Sequence, residues 1–221
     1  MKIIAKIHTE YKEKFGIPRQ SGLVENKAKI IFEKEYRVPE AFRGLEEFSH
    51  IWILWEFSEA KRENWSPTVR PPLLGGNKRV GVFATRSPFR PNSIGLSCVK
   101  LEKIEFSKTD GPVLHVVGAD LLNDTPIYDI KPYLPYADSF PNAIGGFTEH
   151  LEERKLTVNI QTDDFYKIPE NLQNEIIQVL SHDPRPSYQE DDKIYGIKYS
   201  NYEIKFQVKE KILAILSIFE S

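Results

Sequence analysis

The 221-residue chain has little sulfur: one cysteine, Cys98, and one methionine, Met1. A single cysteine excludes an internal disulfide and fits a reducing compartment. Cys98 sits in the apolar run Ile94–Leu101, where an inert core thiol is expected over a nucleophile. No run approaches the ~18 apolar residues of a membrane span, so no membrane partner is expected. Lysines interrupt the apolar residues of MKIIAKIHTEYKEKFG, so no signal peptide is read there and a cytoplasmic protein is expected. The five histidines, at 8, 50, 115, 150 and 182, form no HxH, HExxH or Cys/His pair, so no metal site is expected. The P-loop, GxGxxG and GxSxG fingerprints are likewise missing. No internal repeat or low-complexity segment is found.

Charge of one sign is also scarce overall, with a net of -2. It is unevenly placed. Between Lys61 and Lys100 lie Lys61, Arg62, Arg70, Lys78, Arg79, Arg86, Arg90 and Lys100 against one acid, Glu63. That window carries +7 and the remainder -9. Such a patch suits a polyanion or an anionic small molecule; a solvated loop face is the plain alternative.

What the chain has is alternation. Period-two apolar runs at Lys2–Ile7, Lys27–Phe32, Ile51–Phe57, Val80–Ala84, Gly95–Ile104, Val113–Ala119 and Ile127–Lys131 predict strands. Most of the fifteen prolines and twelve glycines fall between them. Helix signals are weak before residue 150, with one turn expected at Pro39–Arg43. Many short strands and few helices point to a closed or nearly closed antiparallel barrel. Further on, Leu172, Ile176, Ile177 and Leu180 recur at helical spacing in Pro169–Leu180, with Pro169 suited to the first turn. Strands follow at Tyr195–Tyr199, Tyr202–Val208 and Ile212–Phe219, the first two joined by a turn at Ser200-Asn201. The expected fold is therefore mainly β: an antiparallel β-barrel N-terminal domain over 1–150 and a small α+β C-terminal domain over 160–221.

Three segments put polar residues beside strand ends: Phe15–Leu23, Gly81–Ser97 and Asp120–Asp138. In GVFATRSPFRPNSIGLS, Pro88 and Pro91 oppose a helix and stiffen a loop that carries Arg86 and Arg90 between two barrel strands.

The runs GIPRQSGL, GLEEFSHIWILWEF, PTVRPPLLGG, GVFATRSPFRPNSIGLSCV and DIKPYLPYAD, in this order over most of 1–150, resemble the TsaA/TrmO-type family. DPRPSY, Asp183 to Tyr188, is similar to the C-terminal domain of part of that family. The resemblance implies a β-barrel, dimeric, S-adenosyl-L-methionine-dependent methyltransferase acting on N6 of threonylcarbamoyladenosine beside the anticodon of threonine tRNA. It implies cofactor contacts from Pro18, Arg19, Gln20, Ser58, Glu59, Arg86 and Leu96, and from the turn Leu122, Asn123, Asp124 and Thr125. Family members commonly carry histidine where Ser58 stands, and read DGTP where this chain has Asn123-Asp124-Thr125-Pro126. Asp tolerates the left-handed backbone that the glycine implies.

Methyl transfer onto a conjugated nitrogen needs alignment and a place for the displaced proton. Asp129 is the expected acceptor, with Tyr133 and Tyr128 behind it; the rival reading pairs Asp129 with Lys131. Arg86 is assigned to the cofactor carboxylate, and Arg70, Lys78, Arg79 and Arg90 to tRNA phosphates. Tyr133 and Tyr136 are assigned either to stacking on a loop base or to covering the barrel mouth. Arg185 is either an RNA contact or a clamp within its own domain. His50 reads as structural, and Trp52 and Trp55 as core or dimer contacts. The competing functions are a methyltransferase of the same fold acting on another RNA or a small molecule, and a non-catalytic S-adenosylmethionine sensor.

Overall fold

In the computed structural model, which describes residues 1–60, 64–149, 155–185 and 193–220, six antiparallel strands close a barrel. They are β1 (Ala5–His8), β2 (Lys27–Phe32), β3 (His50–Glu56), β6 (Ile94–Ser107), β7 (Gly111–Val117) and β8 (Thr125–Pro132). Their order is β1-β2-β7-β6-β3-β8, and β8 pairs back onto β1 through Ala5↔Ile127 and Ile7↔Thr125. Alternation decides what fills it. In β3, Ile51, Ile53 and Trp55 point inward, and Trp52 and Leu54 stand on the outer face. Ile7, Ile30, Leu114, Leu121 and Ile127 meet them in the interior, all fully buried. Burying each such side chain contributes roughly 1.5–3 kcal/mol.

A second layer follows. Helix α2 (Glu170–Ser181) packs beside a sheet of order β10-β11-β12-β9. Those strands are β10 (Ile194–Tyr199), β11 (Tyr202–Lys209), β12 (Ile212–Glu220) and β9 (Thr157–Ile160). The hairpin turn between β10 and β11 has Ser200 at φ 54. The core of this layer includes Tyr11 and Val24, which belong to the connection between β1 and β2. The first excursion from the barrel is thus built into the C-terminal core.

Several expectations change. Lys2–Ile4 lies outside β1. Val80–Ala84 is not a barrel strand: β5 (Val80–Gly81) pairs with β4 (Thr68–Val69) in a separate ribbon, and Val82–Ala84 is a 3-10 turn. Only Val82 of that run is buried and Phe83 is 72% exposed, so its apolar residues did not mark a core strand. The Gly81–Ser97 loop therefore joins the ribbon to β6. Pro169 caps α2 instead of entering its first turn. Strand β9, parallel to β12, and the short helix α1 (Pro135–Asp138) were not anticipated. Lys61, Arg62, Glu63, His150 and the Pro186–Tyr188 part of DPRPSY lie outside the described residues.

Candidate functional site

One end of the barrel is where β3 exits, β6 and β8 enter, and the chain leaves β7 for Asp120. A cleft of about 520 Å³ opens there. Pro18, Arg19, Gln20, Ser58, Glu59, Arg86, Leu96, Leu122 and Thr125 all line it, although they come from five separate stretches of chain. Asn123 and Asp124 stand just behind the lining. Thr9 N donates to Asn123 Oδ1 at 3.1 Å, and Asp124 N donates to Ile7 O at 2.8 Å. Thr125 N and Oγ1 both donate to Leu122 O, which closes the turn. Asp124 sits at φ 63, so aspartate holds the left-handed position in which glycine would be unstrained.

The floor is a buried polar chain. Trp55 Nε1 donates to Ser97 Oγ at 2.9 Å, and Ser97 donates to Asp120 Oδ1 at 2.5 Å. The indole can lie there because residue 95 is glycine: a Cβ would come within 2.2 Å of Trp55 Cε2. Burial pushes the Asp120 carboxyl above the ordinary carboxylate range, against the Ser97 hydrogen bond and the charge of Arg86. Asp120 was not singled out from the sequence. Its partners lie 23 residues away in one strand and 65 in another, so no local pattern marks it.

Side walls complete the cleft. Arg86 Nη1 donates to Gln20 Oε1, which joins the loop at 85–90 to the loop at 14–20. Lys14 Nζ bonds Glu59 O at 2.9 Å and lies 3.4 Å from Glu59 Oε2. Arg90 also lines the cleft, but its Nη1 donates to Thr85 O and Ser87 O at 3.0 and 3.2 Å. The guanidinium thus braces its own loop. Glu56, at the exit of β3, holds Tyr128, and burial together with that carboxylate pushes the phenol up to about 12. Tyr128 is the extra residue where the β3–β8 register shifts.

The residues expected to act on the acceptor are not gathered with the others. Asp129 and Leu96 are both cross-strand neighbours of Leu54 on the barrel's outer face. Two strand spacings place Asp129 about 10 Å from Leu96, at the lip of the cleft and off its lining. Its carboxylate accepts from Ile130 N at 2.9 Å and pairs with Lys131 at 3.0 Å. Tyr133 follows the far end of β8, roughly 25 Å along the strand from Thr125. There it packs against His50 and Trp52. The structure therefore does not bring Tyr133 to the cleft of its own chain. Tyr136, 87% exposed, lies in α1 beyond it. Arg70, Lys78 and Arg79 are exposed, and Arg79 Nη1 donates to Thr68 Oγ1 at 2.9 Å. Arg185 is 8% exposed and grips both oxygens of Asp183 at 2.9 and 3.0 Å, which favours the clamp over the RNA contact. Among the described residues no group of three or more His, Cys, Asp or Glu could hold a metal, and no helix is long and apolar enough to cross a membrane.

The model of the tRNA-methyltransferase O N-terminal domain matches residues 6–139, and that of the TrmO C-terminal domain matches 153–221. The chain is similar to the tRNA (adenine(37)-N6)-methyltransferase of Escherichia coli (strain K12), with 40% identity over 217 residues, covering 94% of this chain and 92% of that protein. It is 37% identical to a putative S-adenosylmethionine-dependent methyltransferase, RcsF, of Pseudomonas aeruginosa, over 91% of this chain and 89% of that one. The crystal structure of TrmO from Pseudomonas aeruginosa superposes with a TM-score of 0.79 at 30% identity, covering 99% and 95% of the two chains.

Proposed function

Because the chain belongs to the tRNA-methyltransferase O family, we propose that its cleft binds S-adenosylmethionine and that it methylates N6 of the adenine at position 37 of tRNA, carrying a threonylcarbamoyl group. The observation that carries this reading is the convergence of five distant stretches of chain on one cleft at the barrel mouth. The lining fits the cofactor's chemistry. Arg86 and Arg19 suit its carboxylate, Asp120 suits a cationic centre, and Ile17, Leu96 and Leu122 suit the adenine face.

The bound cofactor would supply a methyl group already activated on a sulfonium. The chain's own residues orient and exclude. The Trp55–Ser97–Asp120 hydrogen bonds fix the floor before any ligand arrives, so little reorganisation is left for the reaction. Asp129, at the lip, is the proposed acceptor for the proton leaving the adenine N6. Arg70, Lys78 and Arg79 meet tRNA phosphates, which position the substrate without reading its sequence. Tyr136 at the opposite end is available to an RNA base or to the second subunit of a cytoplasmic homodimer.

Transfer of labelled methyl groups onto tRNA, with and without the threonylcarbamoyl group, tests the reading. Transfer that requires that group is expected, and Asp129→Asn should lower kcat about 100-fold with cofactor affinity unchanged. Cofactor binding without transfer to any tRNA would instead support a sensor.

A further inference from the structure

The wall of the cleft that carries Pro18, Arg19 and Gln20 is held from outside the barrel. Phe15 stacks on Tyr195 of β10 and Phe206 of β11, with centroids 6.4 and 6.5 Å away. Gly16, at φ +97, passes so close to β10 that a Cβ would meet Ile197 Cδ1 at 2.0 Å. Lys198 N donates to Glu13 Oε1, and Ser200 N donates to Glu10 O, both at 2.9 Å. Arg19 Nη2 reaches Arg185 O at 3.2 Å. That carbonyl belongs to a turn that closes on itself: Asp183, at φ 47 after α2, accepts from both Arg185 N and the Arg185 guanidinium. Yet none of the described residues between 183 and 206 lines the cleft.

We propose that the C-terminal layer is a positioning element for the cofactor, with Phe15 and Arg185 as the positioning residues. It sets the backbone of Pro18–Gln20, so cofactor affinity and docking of β10 are coupled. This rests on the cleft being the S-adenosylmethionine site. Coupling is reciprocal: loosening the dock weakens the cofactor, and the cofactor tightens the dock.

Phe15→Ala tests it in the full chain, since Phe15 touches the C-terminal sheet and not the cleft lining. The KM for S-adenosylmethionine should rise about tenfold with kcat within about twofold, the affinity loss being confirmed by calorimetry. In the unaltered protein, saturating S-adenosylmethionine should slow hydrogen exchange at the Lys198 and Ser200 amides about tenfold. An unchanged KM in a folded Phe15→Ala protein overturns the coupling. So does exchange at both amides that ignores the cofactor, a measurement that stands if the variant does not fold. An unaltered protein that neither binds S-adenosylmethionine nor transfers methyl groups overturns the reading of the cleft itself and this inference with it.

Discussion

One wall of the cleft, residues 14–20, stands on a hydrophobic core; a second, residues 85–90, stands on its own hydrogen bonds. Phe15 and Ile17 pack against a cluster that holds Ile197, Phe206 and Val179. Between Phe57 and Ser93, by contrast, only Pro71 and Val82 are buried among the residues whose side chains the structure describes. That stretch relies on the two-residue ribbon β4–β5, on Arg90 across its loop carbonyls, and on Ser93 Oγ donating to Pro88 O at 3.0 Å. A ligand in the cleft therefore meets one side preorganised by a core and one side that can shift without disturbing a core. The hydrogen bond from Arg86 to Gln20 joins the two.

The contrast can be broken most severely from the supported side. Gly16→Ala places a methyl group in contact with Ile197 and forces a side chain onto a backbone that favours glycine. Calorimetry should show cofactor affinity falling about 100-fold, and an affinity within twofold of the parent would mean that the core does not set this wall. Asp120 lies beneath both walls, and its replacement sharpens the contrast by separating binding from stability. The raised Asp120 carboxyl binds a proton in the folded state at pH values where the unfolded chain has released it. Stability therefore falls as pH rises from the ordinary aspartate value, near ~4, through the folded value. Asp120→Asn keeps an acceptor for Ser97 and removes that loss. Thermal unfolding near neutral pH should move up by about 2 °C while cofactor affinity drops about tenfold. A lowered midpoint would contradict the burial cost. The smallest effect is expected at the adaptable edge. Arg79→Ala should weaken tRNA about threefold at moderate salt, reduce the salt slope by about one, and leave cofactor binding alone. A slope that does not change would return Arg79 to its contact with Thr68 alone.

The two walls were unequally legible in the sequence. Strands such as Lys27–Phe32 carry their inward and outward faces in strict alternation, and the structure keeps those bounds. Helix α2 was visible because Leu172, Ile176 and Leu180 recur along one face. The run Val80–Ala84 misled, because apolar residues that line a loop look locally like those that fill a core. Strand β9 escaped because four residues beside a parallel partner show too little alternation to stand out. The residues assigned to the cofactor were read through the family resemblance, and the structure gathers most of them at one cleft. Asp120 was not, because its significance exists only once Trp55 and Ser97 are beside it. Nor was the support beneath Arg19, which depends on a carbonyl 166 residues later in the chain.

That separation has a consequence for how the molecule is made. Synthesis runs from the first residue onward, and the barrel strands from β1 to β8 leave the ribosome before β10 to β12. Until those last strands emerge, Tyr11, Phe15, Ile17 and Val24 have no core to enter. A nascent chain can close its barrel and still have one wall of its cleft unbuilt. Arrival of β10 to β12 shelters these apolar residues and seats the Phe15–Ile17 side of the wall, so on the proposed coupling the cleft is finished only after the barrel.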